Sequence, residues 1–155
     1  MLLVDRFGMP GMIRAARIAR EAGIPVVADF ENSRTPGFPE LLGLVDHLIL
    51  SSDFACALTG AVAPSAAASA LWRAGRRAVV VTWGDAGCWV MDDPDAPVRH
   101  IPAFPVKAVD TTGCGDVFRG AYAAGLARGL ELDERLRFAS AAAALKATQI
   151  GRAHV

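Results

Sequence analysis

No excess of charge of either sign marks this chain: 16 Lys and Arg balance 16 Asp and Glu. Composition therefore gives no support for a nucleic-acid or membrane partner, and neither is expected. A single small anionic ligand remains allowed, because local geometry rather than net charge would hold it. Cysteine is scarce. Cys56, Cys88 and Cys114 are odd in number and lack CxxC spacing, which argues against a disulfide framework and against a structural zinc site. No apolar run approaches the ~18 residues of a membrane span. The apolar start from Met1 to Val4 is too short for a signal peptide. A cytoplasmic location is expected. His47, His100 and His154 are scattered, without metal-ligand spacing. There is no G-x-S-x-G elbow and no Walker A string, so neither an elbow nucleophile nor a P-loop lysine is available.

What is present is a chain of 155 residues, 53% of them hydrophobic, enough for a domain with a sizeable core. Short apolar runs alternate with longer helical patterns. Strands are predicted at 2–5, 25–29, 47–50, 78–82 and 87–91, with an edge strand at 98–101. Helices are predicted at 10–22, from Ser52 or Asp53 to Thr59, and at 64–74, with Gly75 as the stop. Two more follow at 113–128, closed by Gly129, and from Asp133 to Lys146. Strands separated by helical stretches imply βαβ units around a mostly parallel sheet, an α/β fold. Ligands of such sheets sit beyond the C-terminal ends of strands, which places Asp5, Asp29, Ser51 and Thr82 near one rim. Polar residues also end strands for purely structural reasons, so each of these has a bland reading too.

The most informative stretch is Asp110-Thr111-Thr112-Gly113-Cys114-Gly115-Asp116. Two glycines flank a small residue where a helix begins. The first turn of a helix has free N–H groups and a positive dipole end, and small side chains let an anion approach the backbone. A transferring phosphoryl group needs such a place. Asp116, the next residue, would sit beside that anion and can accept a proton from an attacking hydroxyl. The alternative is a tight glycine loop followed by an ordinary N-terminal helix acid.

This string resembles the D-T-x-G-A-G-D signature of the ribokinase/PfkB family of carbohydrate kinases at every position but one. The likeness continues through D-V-F-R-G-A-Y-A-A-G-L-A-R-G and into L-R-F-A-S-A-A-A-A-L-K-A-T, which is similar to the family's last helix beside the adenine. The resemblance implies a ribokinase-like three-layer α/β/α core and ATP-dependent phosphorylation of a sugar hydroxyl, with ATP and Mg2+ as cofactors. It implies Asp116 as the catalytic base and the amides of Gly113, Cys114 and Gly115 as an anion hole. Asp110 matches a residue that in some members helps place a monovalent cation such as K+. Cys114 is the departure, standing where alanine is usual.

Thr82-Trp83-Gly84-Asp85-Ala86-Gly87 is a second motif. Its glycines alone would only shape a turn. In the family the equivalent turn lies against the nucleotide phosphates, which implies ATP contacts at Thr82, Gly84 and Gly87. A third segment, Ser51 to Gly60, aligns with the family's N-x-x-E…L-T-G region. Leu58-Thr59-Gly60 match, but Ser51 and Phe54 stand at the Asn and Glu positions. The carboxylate that organises Mg2+ through water is thus missing there, with Asp53 one residue early. The serine-led version, with Trp83 in the second motif, is similar to ketohexokinases and implies a ketose such as fructose.

Members of the family run to about twice this length. The resemblance implies that residues 1–155 form the C-terminal ATP-binding part, without the N-terminal half and its lid. A homodimer is implied only for the full-length protein. The chain alone is expected to turn over little sugar, because a kinase needs its lid to exclude water. The alternative is a non-catalytic nucleotide-binding module that needs a partner half.

Overall fold

A computed structural model describes residues 1–150. The chain forms two compact units: residues 1–83 with 89–100, and residues 84–88 with the segment from Ile101 onward.

Strands β1 (Leu2–Val4), β2 (Val26–Asp29), β3 (His47–Ser51), β4 (Ala78–Thr82), β5 (Cys88–Met91) and β6 (Arg99–Ile101) are neighbours in that order in one sheet, which belongs to the first unit except for the end residues Cys88 and Ile101. The first four are parallel, with Val4 opposite Ala28, Asp29 opposite Ile49 and Ser51 opposite Thr82. Strands buried on both faces should be apolar throughout, and Val26, Val27, Leu48, Ile49, Leu50, Val79, Val80 and Val81 are fully buried. Asp29, Ser51 and Thr82 fall at the C-terminal ends of their strands, as expected, and form part of one rim.

Crossovers are made by α1 (Met9–Glu21), α2 (Phe38–Leu44), α3 (Ser52–Thr59) and α4 (Pro64–Leu71). Helix α2 is not apparent from the sequence, since it has only seven residues and one of them is Gly43; its Pro39 lies in the first turn, where proline is tolerated. Its start depends on Gly37 at φ 92°, where a Cβ would meet Ile13 Cδ1 at 3.0 Å. Helix α3 is capped by Ser51, not by Ser52 or Asp53: the Ser51 Oγ accepts the Phe54 N–H at 3.3 Å. Helix α4 ends at Leu71, three residues before the expected 74. The cause is Arg76, a buried guanidinium that donates to the carbonyls of Leu71 at 2.6 Å, Leu42 at 2.7 Å and Val45 at 3.3 Å. One side chain thus satisfies the ends of both α2 and α4.

The second unit is a helical hairpin of α5 (Cys114–Ala127) and α6 (Leu132–Ala147). The helices touch closely at Gly125, where a Cβ would lie 2.9 Å from Arg135 Cγ. Arg135 donates to the buried Tyr122 hydroxyl at 3.1 Å and to the Leu130 carbonyl at 2.8 Å. Helix α6 opens with a capping box between Glu131 and Glu134, so its cap is Glu131 rather than Asp133. No single helix among the described residues is long and apolar enough to cross a membrane.

Candidate functional site

Residues 110–116 form a sequence of local turns that leads into α5. Asp110 Oδ1 accepts the Thr112 N–H at 2.8 Å. Cys114 N–H then donates to the Thr111 carbonyl at 3.1 Å. Gly113 has φ 77° and ψ 3°, the values a type II turn requires at its second inner position, and only glycine adopts them freely. Gly113 is therefore needed to turn the chain.

This turn divides the three amides expected in the anion hole. The Cys114 N–H is committed to Thr111 and does not point outward as a free donor. Gly113 serves as the N-cap residue, and no side chain caps α5. Among the described residues, the Gly115 and Asp116 N–H groups take no protein acceptor. These are orphan donors of a helix first turn, at the positive end of the helix.

Arg119 lies over this turn, and sequence reasoning missed it. It is buried, and its Nη1 is 3.2 Å from Asp116 Oδ1. A Cβ on Gly115 would come within 3.6–3.7 Å of the guanidinium, an ordinary contact distance. The signal was available, because Arg119 follows Asp116 by three residues and shares its helix face. The Asp116 side chain is 70% exposed, so its carboxylate is open to an incoming group while one oxygen is held by Arg119. An anion at this turn would meet two open amides and a fixed guanidinium.

The loop is held to the end of α6. The Ala147 carbonyl accepts from Val109 N–H at 2.7 Å and from Asp110 N–H at 3.2 Å. The buried Lys146 extends its Nζ to the Asp110 carbonyl at 3.4 Å.

Gly84 and Gly87 belong to the same unit as this loop. Gly87, at φ 91°, lies under the segment after β6: a Cβ there would be 2.1 Å from the Ile101 carbonyl oxygen and 2.7 Å from Ala103 N. Its lack of a side chain is required by this backbone approach. Gly84, in the short turn Gly84–Ala86, has open space around it. Thr82 stands on the rim of the first unit and donates its hydroxyl to the Leu50 carbonyl at 3.3 Å. A pocket of about 440 Å³ in the second unit is lined by Ile101, Pro102, Ala103, Phe104, Asp133, Arg137 and Ser140.

The residues of α3 do not fit a resident Mg2+. Phe54 packs edge-on to Phe38, with ring centroids 6.3 Å apart, so an aromatic ring fills the position where a carboxylate was sought. Asp53 accepts from the neighbouring Ser52 hydroxyl at 3.5 Å. Among the described residues no group of three or more His, Cys, Asp or Glu side chains is placed to hold a metal ion.

The sequence pattern of the pfkB family carbohydrate kinases matches residues 3–154. The chain is 35% identical over 138 residues to the ribokinase of Arabidopsis thaliana, an overlap of 86% of this chain and 36% of that protein. It is 35% identical over 148 residues to the ribokinase of Haemophilus influenzae, covering 92% of this chain and 47% of the relative. The solved structure of Arabidopsis thaliana ribokinase complexed with ribose and ATP superposes with a TM-score of 0.85 at 31% identity, over 96% of this chain and 50% of that one. The fold is thus ribokinase-like, and the chain spans half or less of the length of these relatives.

Proposed function

The chain belongs to the pfkB family of carbohydrate kinases, and we propose that it is the nucleotide-binding half of an ATP-dependent sugar kinase. The observation that carries this reading is the turn into α5. Two open amides, a buried guanidinium and an accessible carboxylate meet there within one helical turn and the next.

The chemistry follows from that arrangement. The Gly115 and Asp116 N–H groups and the Arg119 guanidinium bind phosphate oxygens of ATP and stabilise charge that develops on the moving phosphoryl group. Asp116 takes the proton from a sugar hydroxyl. The hydroxyl oxygen forms a bond to the γ-phosphorus as the bond to the ADP oxygen breaks, and ADP leaves. Mg2+ would enter with ATP as part of the substrate and would neutralise phosphate charge. The adenine lies in the pocket of the second unit, where Ile101, Pro102 and Phe104 supply apolar surface and Ser140 of α6 supplies a polar group. Gly84 shapes a turn against the phosphates, and Gly87 fixes that turn to the segment after β6.

The sugar is the acceptor, and it is bound largely by the half that the relatives have and this chain does not span. Ribose, present in the Arabidopsis complex, is the first acceptor to test. Fructose is the second, on the strength of Ser51 and Trp83. The protein acts in the cytoplasm. In a full-length protein carrying this chain, Asp116→Asn lowers turnover by about 10²–10⁴-fold with little change in ATP affinity. Turnover that survives this substitution excludes Asp116 as the base.

A further inference from the structure

A family member that uses a monovalent cation beside the residue at Asp110 needs backbone oxygens there that are free to coordinate it. Here two of them, the Ala147 and Asp110 carbonyls, already accept protein donors. The Ala147 carbonyl, at the negative end of α6, takes two N–H donors from Val109 and Asp110. The Asp110 carbonyl takes the Lys146 ammonium at 3.4 Å. Lysine at a helix end ordinarily extends to water, yet Lys146 is only 9% exposed and turns inward to the loop.

We infer that the Lys146 ammonium takes the place of a monovalent cation beside the Asp110 carbonyl, so that this site works without K+. The inference rests on the kinase reading of the loop. An ammonium group and K+ carry the same charge and are of similar size, and both satisfy carbonyl oxygens. Lysine supplies that charge as a compact point on a flexible stem. Tethered to α6, it needs no free ion. A second cation at this place would meet like-charge repulsion and an occupied carbonyl. The consequence reaches the phosphate site through the chain itself. The Asp110 carboxylate fixes the Thr112 amide, the Thr111 carbonyl fixes Cys114, and α5 begins there. Lys146 is thus a positioning residue for the anion-binding turn, contributed by the neighbouring helix.

The test replaces tetramethylammonium chloride by potassium chloride at constant ionic strength and follows thermal unfolding of the chain. The wild-type melting temperature is expected to be the same in both salts. Lys146→Met keeps the length of the side chain and removes its charge. This variant is expected to gain a K+-specific rise of about 2–4 °C at saturating ion, as binding linkage requires. A merely structural lysine would lower stability without creating any response to K+. The inference is overturned if the wild type is itself stabilised by K+, or if Lys146→Met folds and ignores it. Should Lys146→Met not fold, thallium(I) NMR on the wild type decides. Absence of a bound signal supports the inference, and a bound signal displaced by K+ overturns it. Melting is read without nucleotide, so a failure to bind ATP would count against the kinase reading alone.

Discussion

The buried guanidinium of Arg119 reaches the exposed carboxylate of Asp116, Nη1 to Oδ1 at 3.2 Å, and spans Gly115 on the way. Because Asp116 is mostly exposed, the pair adds little to stability by itself. Its value lies in placing a fixed positive group beside two open amides. Arg119→Met is therefore expected to weaken binding of a non-hydrolysable ATP analogue by about tenfold or more, since a hydrogen bond to a charged group is worth about 1.5–3 kcal/mol. Arg119→Lys keeps the charge but loses the planar fork and falls between the two. Calorimetric titration of the three proteins checks the order.

Gly84 and Gly87 look equivalent as letters and are not equivalent in space. A Cβ at Gly87 would press into the Ile101 carbonyl and the backbone up to Ala103, none of which is a flexible side-chain end. Gly87→Ala is expected to cost about 3 kcal/mol or more. Gly84→Ala meets nothing within 4 Å and carries only the strain of its positive φ, about 1–2 kcal/mol. Denaturant unfolding of both variants gives the comparison directly, and equal costs would contradict the packing described.

These glycines also show how far the sequence could be read. The continuous apolar strands and the helix stops were legible, because burial on both faces and glycine at positive φ leave marks in local composition. The signature at 110–116 was legible as a place for an anion. Its division of labour was not. That Cys114 closes a turn onto Thr111 depends on the backbone angles of Gly113, and Arg119 and Lys146 matter only once α5 and α6 are formed. Helix α2 and the early end of α4 were hidden for a similar reason: Arg76 bonds both helix ends only in the folded chain, 34 residues on from Leu42 in α2 and five on from Leu71 in α4.

Cys88 reports on burial. Desolvation pushes its thiol from an ordinary 9.0 up to about 12. The folded state keeps a proton that the unfolded chain releases, so this contribution is full below about pH 9 and is lost as pH rises toward about 12. Three pKa units correspond to about 4 kcal/mol across the window. Arg76 acts in the opposite sense, lowered to about 10 chiefly by burial and then by Arg73, with Asp46 opposing. Comparison with Cys88→Ala isolates the thiol: the wild type should lose stability faster than this variant between about pH 9 and 12. In the native chain, thiol reagents should label the half-buried Cys56 and Cys114 before Cys88. Early labelling of Cys88 would contradict its burial.

Amide NMR during titration of the 155-residue chain with a non-hydrolysable ATP analogue tests the account most directly. The account predicts that the Gly115 and Asp116 N–H resonances move furthest and move together, while the Cys114 N–H, already bonded to Thr111, moves less. Binding that leaves Gly115 and Asp116 unmoved, or no binding at all, would contradict it.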